Sequence, residues 1–420
     1  GIGYPRTAGT AALGLVGRVL QLRVRGTAFE ARAESVIEPE RLLAIDTCNA
    51  AAKGLVQVDP IRGTYYSALA LRLALEAGET RRVGRDLCLG GSALIVAGGS
   101  LGKWGAGMLD LASRLGNETA DPYLLGSAAV TRGVVDILQG RWASVLALCD
   151  EGLAVLREQC RGVTWERAIG MMASIRALEE LGRIPEALAR MSEMRREAEE
   201  FGDIYAQVTA RSYAAYWRLA ADDPAGARAE VREALALWTH RSYHLQHFYA
   251  LRLEAYVDVY EGSPRAGWAR ILAAWPAVRG SGLLRHPVVA ADAHLLRGRV
   301  ALAAAEAERD GALLRVAARH ARKLRGFGRP DTRAHALMLN AGIVSCRRED
   351  PSTFLNAAHD AYRDQGLTLS AAGAAWCLAQ GADDDSERRL AAIDVALRAQ
   401  TIENPARWVA VQAPGLQRAS

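Results

Sequence analysis

Three groups of residues in this 420-residue sequence have types and spacings that could do chemistry. The first is Ala97-Gly98-Gly99-Ser100-Leu101-Gly102-Lys103-Trp104, which follows the apolar Leu94-Ile95-Val96. A glycine-rich loop between a strand and a helix can cradle phosphates with its backbone N–H groups. Here only three residues separate Gly98 from Gly102, and Trp104 stands where a hydroxyl would meet Mg2+. Nucleotide binding is therefore not expected. The second group is His240, His244 and His247, at helical offsets of 0, 4 and 7. A divalent ion would need a carboxylate or thiolate close by to complete its ligands. None lies within one turn after His247, and His240 falls at the end of the preceding helix. These histidines are read as interhelical hydrogen-bonding groups, with no metal site. The third group, Arg319, His320, Arg322, Lys323, Arg325 and Arg329, could face nucleic acid or an acidic partner. Its only Phe, Tyr or Trp is Phe327, and cations at a helix end are favoured by the helix dipole. It is read as a solvated helix end, with no nucleic-acid partner. No Gly-x-Ser-x-Gly, His-Arg-Asp or Asp-Phe-Gly motif accompanies the Ser, His and Asp residues. From the chain itself we expect no catalytic residue, cofactor or metal.

Composition sets the class of elements that must position these groups. Half of the residues are hydrophobic and 24% are charged, which excludes a disordered chain. Abundant Ala, Leu and Arg favour helix. The net charge of +5 is spread along the chain, so it indicates no nucleic-acid surface. The six cysteines (48, 88, 149, 160, 346, 377) form no Cys-x-x-Cys pair and read as reduced core thiols in a cytoplasm. The longest uncharged run, Leu87 to Gly102, has 16 residues, short of the ~20 a membrane span requires. No signal peptide is visible, and a start at Gly1 without Met reads as a piece of a longer polypeptide. Gly90, Gly91, Gly105 and Gly107 interrupt helical patterns at about 1 kcal/mol each, so the Leu87 to Gly107 region is expected to be the softest.

The organising unit is Gly126 to Glu158. It reads as a helix, a break at Gln139-Gly140-Arg141, and a returning helix. Trp142, Val145, Leu146, Cys149, Leu153 and Leu156 share one face of the second helix; Val130, Val134, Ile137 and Leu138 share one face of the first. Earlier in the chain, helices are expected from Thr10 to Val24 and from Pro39 to Gln57, the latter ended by Asp59-Pro60-Ile61-Arg62-Gly63, with a further helix closing at Gly78. Gly102-Lys103-Trp104 aligns on Gly140-Arg141-Trp142, and breaks at 102, 140, 182, 222 and 262 are spaced by 38, 42, 40 and 40. Asp223-Pro224, Ser263-Pro264 and Asp350-Pro351 supply a cap and a first helical position. The match weakens at Asp310, read as a hairpin with an extended first helix. A period near 40 built of antiparallel helix pairs predicts an all-α, right-handed α-solenoid with tetratricopeptide-like repeats. The expected divisions are an N-terminal helical segment over 1–78, the repeat array over 79–381, and capping helices over 382–420.

The order of features resembles the C-terminal helical region of large bacterial serine/threonine protein kinases that carry a kinase domain and then an ATPase of the signal-transduction NTPase type. The residues that carry the resemblance are Asp59-Pro60-Ile61-Arg62-Gly63, Leu75-Glu76-Ala77-Gly78-Glu79, Gln139-Gly140-Arg141-Trp142, Tyr243-His244-Leu245-Gln246-His247-Phe248-Tyr249-Ala250-Leu251, and Asn404-Pro405-Ala406-Arg407 with Ala413-Pro414-Gly415. It implies a non-catalytic sensor or scaffold that regulates a linked kinase and ATPase, with a protein or peptide as partner, including domains of the same parent chain. Solenoid curvature would offer a concave surface lined by first helices. Helix register places Arg132, Arg211, Tyr213, Tyr243, His247 and Arg252 there as candidate binding residues. The alternative is a helical sensor for a small molecule, like the effector regions of bacterial transcription activators. An open surface with acid or base favours a peptide, and a closed apolar pocket with few polar groups favours a metabolite.

Overall fold

The computed structural model describes residues 3–239, 242–380 and 384–416. Apart from one isolated bridge between Arg32 and Glu79, all regular structure among them is helical: twenty α-helices packed in sequential antiparallel pairs, and two 3-10 turns at Glu34–Val36 and Leu283–Arg285. The chain divides into two compact units, Gly1–Asp136 with Ser144–Ala173, and Ile137–Ala143 with Ser174–Ser420.

The first unit holds α1 (Ala8–Arg25), α2 (Pro39–Val56), α3 (Pro60–Ala77), α4 (Thr80–Ala97), α5 (Gly99–Thr119), most of α6 (Pro122–Ile137) and α7 (Trp142–Gln159), and the first part of α8 (Thr164–Leu181). Asp59 accepts a hydrogen bond from the Arg62 N–H, with Pro60 in the first turn. Asp59 to Gly63 thus opens α3 instead of ending α2, because a side-chain cap and a proline both serve the unpaired N–H groups of a helix start. Gly78, at φ +83°, ends α3 as expected.

The break between α4 and α5 lies at Gly98-Gly99, with φ +74° and +57°, and not at Gly102. Two consecutive glycines accept these left-handed conformations without a Cβ penalty, and Gly102 and Trp104 fall within α5. Gly91 and Gly105 are close-packing positions. A Cβ on Gly105 would lie 2.5 Å from the Gly91 carbonyl oxygen, and one on Gly91 would lie 2.9 Å from the Gly105 carbonyl oxygen. Gly107 is exposed, with open space around its Cα. Gly105→Ala is therefore expected to destabilise the first unit by about 1–3 kcal/mol through overpacking, while Gly107→Ala stabilises it by about 0.5–1 kcal/mol. Urea midpoints of the two variants check this; equal shifts would contradict it.

The Gly126 to Glu158 hairpin forms. All six residues of the predicted face on α7 are buried. On α6 Val130 is buried, but Val134 and Ile137 are only half-buried, as is Leu138 in the turn that follows. The close approach is made by glycines instead: a Cβ on Gly152 would lie 2.6 Å from the Gly126 carbonyl oxygen, and one on Gly133 would lie 2.6 Å from Cys149 Sγ. Four of the six cysteines are buried, and Cys160 and Cys346 are half-buried.

The second unit continues α8 and adds α9 (Ile184–Glu200), α10 (Ile204–Ala220), α11 (Pro224–Leu237), α12 (Leu245–Tyr260), α13 (Pro264–Gly280), α14 (Pro287–Glu308), α15 (Gly311–Gly326), α16 (Pro330–Cys346), α17 (Ser352–Arg363), α18 (Thr368–Leu378), α19 (Asp384–Arg398) and α20 (Pro405–Gln412). Asp223 caps α11 through its side chain, whereas Ser263, although placed before Pro264, makes no side-chain cap. Asp350 accepts from the Ser352 N–H, so α17 starts one residue later than the Asp-Pro pattern predicts. Asp310 caps α15 after the 22-residue α14, the extended first helix expected there. Helices α10, α12, α14 and α16 contact one another in series and form an inner layer. α13, α15 and α17 bury narrower stripes, such as Leu313, Ala317, Ala321 and Leu324 on α15.

The segment after α17 returns across that inner layer. Thr368 Oγ1 donates to the Leu181 carbonyl (2.7 Å), and Gln400 Oε1 accepts from the Ile184 N–H (3.2 Å). The Glu403 N–H donates to the Ala220 carbonyl (3.0 Å), and the Gly415 N–H donates to Glu306 (2.8 Å). α20 itself packs on α12, α14 and α18.

Candidate functional site

The inner helices of the second unit converge on a cavity of about 60 Å3, room for a few waters when one requires ~10–15 Å3. Its wall is charged. From α8, Arg176 lies 2.6 Å from Glu180, 3.5 Å from Glu179 and 3.3 Å from Asp292 of α14. Asp292 is also 3.5 Å from Arg252 of α12. Burial works against the Arg176 charge, but Asp292, Glu180 and Glu179 more than reverse this and keep the guanidinium protonated. Burial pushes Glu180 up to about 7 despite the attraction of Arg176, and the neighbouring Glu179, Asp331 and Asp292 add to the rise.

Further donors line the same cavity. Arg299 of α14 is 8% exposed, and it forms no ion pair among the described residues. Its hydrogen-bonding neighbour is the Tyr256 phenol. His335 of α16 is buried, and that burial, followed by the Arg299 charge, holds its pKa well below the ordinary value, so the imidazole is neutral. Its Nδ1 lies 2.8 Å from the Tyr362 hydroxyl. α20 contributes Trp408, 2% exposed, which stands edge-on to Tyr216 at 5.1 Å. The Trp408 indole N–H has no hydrogen-bond partner. Gln412 donates to the Tyr216 hydroxyl at 3.4 Å. Ser370 of α18 also lines the cavity. The arrangement can bind a polar group and exchange a proton at Glu180.

The sequence-derived candidates are dispersed. Arg252 lines this cavity, and Tyr213 is buried on the neighbouring α10 within electrostatic reach of Arg176 and Arg252. Arg211, on α10, is held by Glu230 (2.9 Å) and Glu233. Arg132, in the first unit, pairs with Asp110 (2.7 Å) and Ser113 (3.0 Å). Tyr243 is half-buried before α12. His247 Nδ1 accepts from the His244 N–H (3.1 Å), while His244 Nδ1 accepts from Trp238 Nε1 (3.2 Å). This pair therefore caps the start of α12. His240 lies outside the described residues. Among the described residues no group of three or more His, Cys, Asp or Glu is placed to hold a metal ion. The basic segment divides: Arg322, Lys323 and Arg325 are exposed at the end of α15, whereas His320 and Arg329 are buried, so it is not a uniformly solvated end. Among the described residues, no helix is long and apolar enough to cross a membrane.

Sequence reading passed over Arg176, Arg299 and Trp408. The available signal was at Arg299, a lone charge within Gly298-Arg299-Val300-Ala301-Leu302-Ala303, where a buried cation requires a reason. The features together define an all-α protein of sequentially paired helices whose second unit closes on a charged cavity. Compared with known families and curated proteins, the sequence matches no family model and no curated protein.

Proposed function

We propose that this chain is a non-catalytic helical sensor region that binds a small polar effector in the cavity of the second unit. On the resemblance stated above, it regulates a linked bacterial signalling kinase and ATPase, and its helix pairs form a tetratricopeptide-like solenoid. The observation that carries the reading is the position of α20 across α12 and α14. A segment of the chain itself occupies the inner layer where a peptide would lie, and what is left is a small cavity edged by Trp408 and Gln412. The wall is charged and not apolar as expected for a metabolite pocket, so what favours a small polar ligand over an extended peptide is the size of the space, about 60 Å3 edged by α20. Effector binding would change the packing of α20 on the inner helices, and a linked domain could read that change.

Native mass spectrometry of the full chain, mixed with a panel of small polar metabolites, tests the reading. We expect a one-to-one adduct that Arg252→Ala weakens, accompanied by a rise in the thermal midpoint. A panel that gives neither an adduct nor a thermal shift would refute it.

A further inference from the structure

Two buried donors that line the cavity, the Trp408 Nε1–H and the Arg176 Nε–H, have no acceptor, and the Arg299 guanidinium, although bonded to Tyr256, has no carboxylate among the described residues. Burying a donor without an acceptor is costly, and burying an unpaired cation costs more. The carboxylates Glu179, Glu180 and Asp292 are each already paired with Arg176 or Arg252. A ligand that completes the site must therefore place an acceptor, preferably an anion, against Arg299 and Trp408. It must keep its charge away from these carboxylates and offer donors to them.

We propose that the cavity binds a small carboxylate monoanion whose other end bears hydrogen-bond donors, held by Arg299 with the Trp408 indole N–H. This assignment rests on the effector reading above and narrows it. A planar guanidinium fork matches the two oxygens of a carboxylate. A phosphate dianion would be repelled by Glu179 and Asp292, and the cavity admits only a molecule of a few heavy atoms. Trp408 belongs to α20, so the ligand would tie that helix to α14 of the inner layer.

The test is calorimetric and thermal titration of the full chain with glycolate, acetate, phosphate and glycerol, at an ionic strength held constant with chloride. Glycolate is expected to bind, and to bind more tightly than acetate, which lacks the donor. Arg299→Gln should weaken glycolate about 10–100-fold, the loss of a charged hydrogen-bonding partner, and Trp408→Phe about 3–10-fold, the loss of one neutral bond. If Arg299→Gln does not fold, Trp408→Phe decides on its own, because it keeps the aromatic volume. Binding of phosphate in preference to glycolate overturns the carboxylate assignment. Binding of glycerol alone, insensitive to Arg299→Gln, overturns the anion while leaving the effector reading intact. Glycolate affinity unchanged in Trp408→Phe overturns the proposed geometry. If none of the four binds while the metabolite panel still gives an adduct, the anion inference alone falls; if the panel fails too, both fall.

Discussion

Replacing Arg329 with Ala is expected to destabilise the second unit by roughly 3–5 kcal/mol, as for removal of one member of a buried ion pair. Arg329 is 7% exposed and Asp331 is 3% exposed. They are joined by two parallel bonds, Nε to Oδ1 at 3.0 Å and Nη2 to Oδ2. The guanidinium also stacks near the Trp142 ring, 5.8 Å from its centroid. Asp331 accepts from the Thr332 N–H (2.7 Å) and lies beside Gly140, where a Cβ would come within 2.8 Å of Oδ1. In the variant this carboxylate keeps one backbone donor and loses its cation in a place that water does not reach. The double variant Arg329→Met/Asp331→Leu should lose much less than the single, since it removes both charges. Urea denaturation of the three proteins measures the difference. A single variant within 1 kcal/mol of the parent would show that Asp331 is compensated some other way.

The second large effect is on pH dependence. Glu180, at about 7 in the fold against an ordinary 4.5, keeps a proton that the unfolded chain has released between those values. The folded state thus binds more protons in that window, and this group's contribution to stability is fully present below pH 4.5 and is lost as pH rises to 7. The amount is about 3 kcal/mol, from 1.36 kcal/mol per unit. Buried histidines act with the opposite sign. Burial, reinforced by neighbouring cations, lowers His294 to about 4 and His320 to about 3, and His335 is also held neutral. The unfolded chain therefore takes up protons at these sites as pH falls through 6.5, and stability is lost on the acid side. Several histidines outweigh one carboxyl, so stability should peak near pH 6.5–7. Glu180→Gln separates the two effects. It should be more stable than the parent by about 3 kcal/mol above pH 7, with the gap closing by about pH 4.5. A gap that is constant over this range would mean that Glu180 does not titrate as its surroundings among Arg176, Glu179, Asp292 and Asp331 require.

The elements that were legible in the sequence are those written in local chemistry. Gly140 before Trp142, Asp223 before Pro224, Asp310 before Gly311 and Asn404 before Pro405 each place a turn residue or cap next to a helix start, and each opens a helix in the structure. The break near Gly102 was misplaced because two glycine positions compete there. Register with Gly140 selects Gly102, but only Gly98 and Gly99 take the left-handed backbone. The cavity was not legible because its wall draws one to three residues from each of α8, α10, α12, α14, α16, α18 and α20, and no spacing within a helix pair records which of them meet. Arg211 and Arg132 illustrate the converse. Their register suggested a binding surface, but acidic neighbours on adjacent helices occupy them, and those neighbours follow from packing.

The return of α20 also bears on how the second unit comes to be folded. In a stack where each pair touches only the next, structure can propagate pair by pair during synthesis. Here the Glu403 N–H closes on the Ala220 carbonyl, 183 residues earlier, and Trp408 completes a wall begun by Arg176. Such distant contacts must close a long loop before they are rewarded, which slows the step that makes them. The cavity wall that holds Tyr216, Tyr256 and Arg299 is complete only once residues 405–412 have packed, so the order in which the helices of the second unit are made is not the order in which its interior is closed.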